Sequence, residues 1–237
     1  VLYRIAFRKV KYVFFENKEN AREFGERNIV SADRQVVLPG AGINLEKYKM
    51  EPYPNHSRVH FLYLGRIMKE KGIDELFYSV RRLKKENENF VLDLVGFFED
   101  EYKEQVKELE KCDIAHFYGF QPDPRPFYIE ADCVVLPSYH EGMSNVLLEA
   151  AATGRPVITS NIPGCRESVE NGKSGLLVEV KNKEMLYDAM KEMLHCSREE
   201  REQMGQTGRE KMEREFRKDV VVEKTVQSLR EDEKRDF

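Results

Sequence analysis

No stretch of this 237-residue chain approaches the roughly 18 consecutive apolar residues that a membrane-spanning helix needs. The opening residues, Val1-Leu2-Tyr3-Arg4-Ile5, lack the apolar core and small-residue cleavage site of a secretory signal. A soluble, cytoplasmic protein is therefore expected. Paired cysteines are missing too: Cys112, Cys133, Cys165 and Cys196 are far apart and form no C-x-x-C. That spacing predicts reduced thiols, without disulfides or a structural zinc. There is no basic excess, since 39 Lys and Arg face 43 Asp and Glu for a net charge of −4. A dedicated nucleic-acid binder concentrates positive charge, so no nucleic-acid partner is expected.

What is present is a chain with 41% hydrophobic and 35% charged residues, too apolar for disorder and long enough for a substantial core. Short apolar runs recur at Val59–Leu64, Phe90–Val95, Ile114–Tyr118, Cys133–Leu136, Val157–Thr159 and Leu176–Val178. Between them lie segments with helical spacing, such as Ile73–Lys85, with Leu76, Val80 and Leu83 on one face, and Glu101–Lys111. Near-continuous apolar strands alternating with helices are the pattern of a parallel sheet covered on both faces. The fold class expected is α/β, a doubly wound parallel sheet of Rossmann-like type.

The ends differ from this middle. Apolar runs at Tyr12–Phe15 and Val36–Leu38 flank a predicted helix through Ala21–Phe24, too little for a sheet of their own. Pro39-Gly40-Ala41-Gly42 and the prolines at 52 and 54 predict a connecting segment over 39–57. Ser197-Arg198-Glu199-Glu200 has capping-box form and predicts a helical C-terminus. The expected division is a remnant domain with linker over 1–50, an α/β domain over 51–196 and C-terminal helices over 197–237.

Two loops could carry chemistry. Gly65-Arg66-Ile67-Met68-Lys69-Glu70-Lys71-Gly72 follows the first strand of the α/β domain, at the rim where such sheets bind ligands. Gly65 allows close approach of a ligand, Arg66 suits a bidentate phosphate contact and Lys71 adds a point charge. A solvated basic turn explains the same residues equally well. A G-x-G-x-x-G fingerprint is absent, which disfavours a nicotinamide cofactor.

The second loop, Tyr139-His140-Glu141-Gly142-Met143-Ser144-Asn145, joins a buried strand to a predicted helix over Val146–Thr153 that stops at Gly154-Arg155-Pro156. Backbone N–H groups over Gly142–Asn145 make a ready anion site at the helix start. Glu141 and Glu149, in an E-x7-E arrangement, suit a ligand that also offers hydroxyls, and a sugar nucleotide offers both chemistries. The plainer reading has Glu141 capping the helix and Glu149 on the surface.

Taken together, Gly65-Arg66-x4-Lys71-Gly72, Pro137-Ser138-x2-Glu141-Gly142-x6-Glu149-Ala150, Gly154-Arg155-Pro156-Val157 and Gly175-Leu176-Leu177-Val178 resemble glycosyltransferase family 4, retaining enzymes of the two-domain GT-B fold. The wording is most similar to bacterial enzymes of capsule, O-antigen and protein-glycan synthesis. The resemblance implies a donor-binding half, with Arg66 and Lys71 on the donor diphosphate, Glu149 on the ribose and Glu141 on the sugar. Met143, Ser144 and Asn145 would surround sugar and diphosphate through their amides, with Gly142 in the same loop. Gly96 and Phe120, in turns after later strands, would line the base pocket beside Gly65. It implies transfer of a hexosyl unit from a nucleoside-diphosphate sugar, a UDP-sugar first, to a glycan or lipid-linked acceptor in cell-surface polysaccharide synthesis. Metal independence is implied as well, and no D-x-D is present, since Asp93, Asp113, Asp123 and Asp132 are isolated. Most of the family's N-terminal, acceptor-binding half is expected to be absent from these residues. A noncatalytic nucleotide-sugar-binding module, or a fragment inactive without that half, is the alternative. The basic start at Arg4, Arg8, Lys9 and Lys11 leaves open a peripheral contact with anionic lipid at the inner face of the plasma membrane, though a solvated helix face explains it more simply. His140 beside Glu141, and Asn161-Ile162-Pro163-Gly164 after a strand, are further pocket candidates.

Overall fold

Each apolar run of the middle segment is a strand. In the computed structural model, which describes residues 2–233, the chain runs α1 (Leu2–Ala6), β1 (Val13–Phe15), α2 (Lys18–Glu26), β2 (Gln35–Val37) and β3 (Val59–Leu64). It continues through α3 (Ile73–Lys85), β4 (Phe90–Val95), α4 (Lys103–Lys111), β5 (Ala115–Gly119), α5 (Arg125–Glu130) and β6 (Cys133–Leu136). The remainder is α6 (Asn145–Ala152), β7 (Val157–Ser160), β8 (Gly175–Val178), α7 (Lys183–His195), α8 (Arg198–Glu215) and α9 (Lys218–Glu233). Val1 and residues 234–237, the end of the expected C-terminal helical segment, lie outside the described residues.

Strands β3 to β8 form one six-stranded parallel sheet in the order β5-β4-β3-β6-β7-β8. Every residue of β4 and of β6 is buried, as strands covered on both faces require. Helices flank the sheet, α3 packing with α7 and α6 with α8. Helix α3 buries Ile73, Leu76, Phe77, Val80 and Leu83, the face its spacing predicts. No helix among the described residues is long and apolar enough to cross a membrane.

The order of the strands has one consequence for function. From β3 the chain moves outward through β4 to β5, then returns to place β6 on the other side of β3. The loops after β3 and after β6 therefore lie side by side where the chain changes direction across the sheet, the place where doubly wound sheets bind ligands. Both candidate loops belong to this switch point.

Some boundaries differ from expectation. Helix α4 starts at Lys103 rather than Glu101, because a turn places Tyr102 N–H on Asp100 O and the Tyr102 hydroxyl on Asp74. Strand β5 starts at Ala115, since Ile114 N–H still closes the end of α4 on Leu109 O. The capping box at Ser197 and Glu200 is formed. Strands β1 and β2 pair in parallel as a separate two-stranded sheet. The connecting segment is gripped by the turn between α8 and α9, where Ile43 N–H donates to Phe216 O and Lys218 N–H to Ile43 O.

Candidate functional site at the strand switch point

The close approach of the two loops begins with a glycine. Gly72 has φ +73°, and a Cβ there would lie 2.2 Å from the Pro137 carbonyl oxygen. Any side chain would push the loop after β3 away from the loop after β6. Tyr139 N–H then donates to Glu70 O at 2.8 Å, a second backbone tie between them.

This approach brings Lys71 and Glu141 together, with Nζ 2.6 Å from Oε1. Only 16% and 14% of the two side chains is exposed, so the pair is largely withdrawn from water. Glu141 is thus engaged by the cation of the other loop, and the cap position of α6 is held by Ser144 and not by Glu141. The buried Tyr63 feels both Glu141 and Arg66, and burial with Glu141 nearby raises its hydroxyl pKa far above the usual value. Its hydroxyl donates to the Arg66 carbonyl. Arg66 itself extends to the rim, half exposed, and donates to Glu99 at 2.8 Å. The fully buried Cys165 feels the charges of both Glu141 and Lys71, and burial pushes its thiol up to about 12.

Ser144 is the N-cap of α6 but its side chain makes no capping bond. Its own N–H donates to Gly164 O at 2.8 Å. This corrects the expectation that the Ser144 amide serves a ligand, because the loop after β7 already engages it. The same bond shows how Asn161-Ile162-Pro163-Gly164 shapes the site. Asn145 is the first residue of α6, one earlier than its spacing suggested, and His140 is exposed at the loop tip.

Glu149 lies on α6, where Tyr128 donates to its Oε2 at 2.9 Å. The Tyr48 hydroxyl lies against the same carboxylate. Burial raises the pKa of Glu149, and the two phenols pull it partly back by stabilising the ionised form. The sequence singled out neither tyrosine for this role: Tyr48 belongs to the connecting segment, and Tyr128 lies outside both candidate loops. Tyr128 is held in turn by Arg155, which is fully buried and reaches carbonyls of Tyr128, Ile129, Glu51, Pro52, Thr153 and Gly154. From sequence Arg155 marked a helix stop and one motif of the resemblance, with no partners assigned to it.

Along the sheet edge, Gly65 and Gly96 sit back to back, a Cβ on Gly96 falling 1.8 Å from Gly65 O. Gly65 N–H donates to Val95 O and Gly96 N–H to Gly119 O, each at 2.9 Å. The exposed rings of Phe97 and Phe120 meet edge-on at 6.5 Å beyond them. Glycine backbone flanked by aromatic rings makes this part of the rim suited to a flat ring system. At the switch point the structure brings Lys71 and Glu141 together, with Arg66 at the rim beside Glu99 and the glycine turns and aromatic rings following β3, β4 and β5.

The family model described as Glycosyl transferases group 1 matches residues 46–211. The chain belongs to that family. This group 1 glycosyltransferase chain is 28% identical over 219 residues to the capsular polysaccharide biosynthesis glycosyltransferase CapM of Staphylococcus aureus, covering 88% of the chain and 54% of that protein. It is 30% identical over 193 residues to the N,N'-diacetylbacillosaminyl-diphospho-undecaprenol alpha-1,3-N-acetylgalactosaminyltransferase of Campylobacter jejuni, covering 76% of the chain and 50% of that protein. The chain spans about half the length of these relatives. Among solved structures, sucrose-phosphate synthase from Thermosynechococcus elongatus superimposes with a TM-score of 0.81 at 24% identity, over 96% of this chain and 60% of that one. Anabaena HepE in complex with UDP and glucose gives 0.80 at 18% identity, over 96% and 65%. These likenesses establish the Rossmann-like domain of the GT-B architecture.

Proposed function

We propose that the chain is the donor-binding half of a retaining glycosyltransferase that moves a hexosyl unit from a nucleoside-diphosphate sugar to a glycan or lipid-linked acceptor. The observation that carries this reading is the Lys71–Glu141 pair at the switch point of the sheet. A cation and a carboxylate held together at a ligand rim match a donor that presents phosphates and hydroxyls side by side.

As the anomeric bond to the donor phosphate breaks, negative charge grows on the departing diphosphate. Arg66, Lys71 and the start of α6 supply fixed positive potential there, which favours the transition state over the ground state. These cations supply the charge that a divalent metal brings in other transferases, so the reaction is read as metal-independent. With the diphosphate present, Lys71 gains a stronger anionic partner, and Glu141 is released to accept hydrogen bonds from the sugar hydroxyls. Glu149 accepts from the ribose hydroxyls, and Gly65, Gly96 and Phe120 line the place of the base. Gly142, Met143 and Asn145 border the sugar.

A UDP-sugar is the favoured donor, in keeping with the UDP and UDP-glucose complexes of HepE. Cell-surface polysaccharide synthesis is the favoured setting, in keeping with the capsular and undecaprenol-linked relatives. A lipid-linked acceptor places the work in the cytoplasm at the inner face of the plasma membrane. There the basic residues Arg4, Arg8, Lys9 and Lys11 suit peripheral contact with anionic lipid.

Thermal-shift measurements against UDP, GDP and ADP sugars test the reading. A ligand at 100 times its dissociation constant stabilises the fold by about 2.7 kcal/mol. A shift with UDP-sugars that is lost in Lys71→Ala is expected. No shift with any nucleotide sugar overturns the proposal.

A further inference from the structure

Asn17 stands between β1 and α2, only 3% exposed, and its side chain is used at both ends. Its Oδ1 accepts the Asn20 N–H at 2.8 Å and caps α2. Its Nδ2 donates to the Gly142 carbonyl at 3.2 Å, across 125 residues of sequence. Exchanging the two amide atoms would set NH2 against N–H and oxygen against carbonyl, so the surroundings define the orientation. An N-cap needs only an acceptor, which aspartate or serine supplies as well. What asparagine adds is the donor, and Gly142 receives it.

The peptide so held is confined from other sides. A Cβ on Gly164, at φ +86°, would come 2.3 Å from the Gly142 oxygen, so the loop after β7 packs directly on it. A Cβ on Gly142 would meet Glu16 Oε2 at 2.2 Å, and one on Gly40 would meet Met143 Cγ at 2.6 Å. Glu19 of α2 also reaches Arg166 at 3.4 Å. The small β1–β2 unit therefore rests on the loop between Glu141 and Asn145. A peptide is planar and this one is trans, so fixing the Gly142 carbonyl fixes where the Met143 N–H points.

We propose that Asn17 is a positioning residue, setting the backbone of the Glu141–Asn145 loop to receive the sugar end of the donor. This inference rests on the site reading above. It makes the β1–β2 unit part of donor recognition, through a side chain that touches the loop and not the donor.

The test compares Asn17→Asp and Asn17→Ser with wild type in the protein as its native gene encodes it. Both variants keep a capping oxygen; aspartate lacks the donor, and serine is too short to reach Gly142. Calorimetric affinities are measured for UDP against UDP-glucose and UDP-N-acetylgalactosamine, and for GDP against GDP-mannose. Asn17→Ser is expected to melt within about 2–4 °C of wild type, because the cap survives, whereas Asn17→Asp, which sets a carboxylate oxygen against the Gly142 carbonyl, melts lower. Affinity for the bare diphosphates stays within about twofold. The gain from adding the preferred sugar falls by about three- to tenfold, the effect of one misplaced hydrogen-bonding loop. An unchanged gain, or equal loss for diphosphate and sugar nucleotide, overturns the role of Asn17. Lys71→Ala separates the two levels. If that variant binds UDP and GDP as wild type does, the site reading fails and this inference with it. If it loses them while both Asn17 variants keep the full sugar gain, only the role of Asn17 falls.

Discussion

Lys71 Nζ lies 2.6 Å from Glu141 Oε1, a pair drawn from loops 70 residues apart in sequence. Its low exposure means that deleting one partner strands the other in poor solvent. Lys71→Ala is expected to cost about 2 kcal/mol of stability, below the roughly 3–5 kcal/mol of a fully buried pair. It should also lower turnover by about 10²-fold. Lys71→Ala with Glu141→Gln should recover the stability, by urea denaturation, and none of the turnover. If the double variant regains turnover, Lys71 has no part in the chemistry.

Arg66 offers the contrasting case. Its partner Glu99 is as exposed as Arg66 itself, and such surface pairs contribute about 0–1 kcal/mol. Arg66→Ala should therefore melt like wild type while turnover falls by about 10²-fold. A loss of stability without loss of turnover would assign Arg66 a purely structural role.

Glu149 ties pH to both stability and binding. Burial raises its folded pKa above that of an unfolded glutamate, so the native state holds a proton more tightly. Its unfavourable contribution is absent below the unfolded pKa and grows as pH rises through the folded value. Glu149→Gln is therefore expected to raise Tm at pH 7, where the wild-type carboxylate is ionised in a buried place. The gain should vanish near pH 4. The same variant should bind UDP more weakly while binding its 2′,3′-dideoxy analogue as before. Equal affinities in variant and wild type for both ligands would remove Glu149 from the ribose site.

Arg155 is a buried cation whose hydrogen bonds all run to backbone carbonyls, tying the linker, the end of α5 and the end of α6. Burial lowers its pKa without removing its charge at neutral pH. Arg155→Ala leaves several carbonyls without a donor and should cost about 3 kcal/mol or more. Arg155→Lys should recover only part, because an ammonium lacks the planar five-donor geometry. Chemical denaturation of the two variants measures the difference, and wild-type stability in either contradicts this account.

Gly72 sets the spacing of the site. Gly72→Ala meets both a left-handed φ and the Pro137 carbonyl, so a loss of at least about 1 kcal/mol is expected. UDP affinity should fall with it, as the loops carrying Lys71 and Glu141 move apart. Unchanged calorimetric binding would show that loop spacing does not govern the site.

Local pattern alone determined the strands β3, β4 and β6, helix α3 and the capping box at Ser197, because burial on both faces, helical periodicity and caps leave marks within a few residues. Arg66, Lys71, Glu141 and Glu149 were marked by their places after strands and by the resemblance of the combined motif, each having a plainer reading when taken alone. Tertiary structure decided the partners. That Lys71 meets Glu141, that Arg66 meets Glu99 and that Ser144 N–H is engaged by Gly164 follow from the sheet order, which periodicity does not encode. Tyr128 on Glu149, Arg155 under Tyr128 and Asn17 on Gly142 were hidden for the same reason. A phenol, a guanidinium or an amide acquires its role from what the fold sets within about 3 Å of it, and those neighbours are distant in sequence.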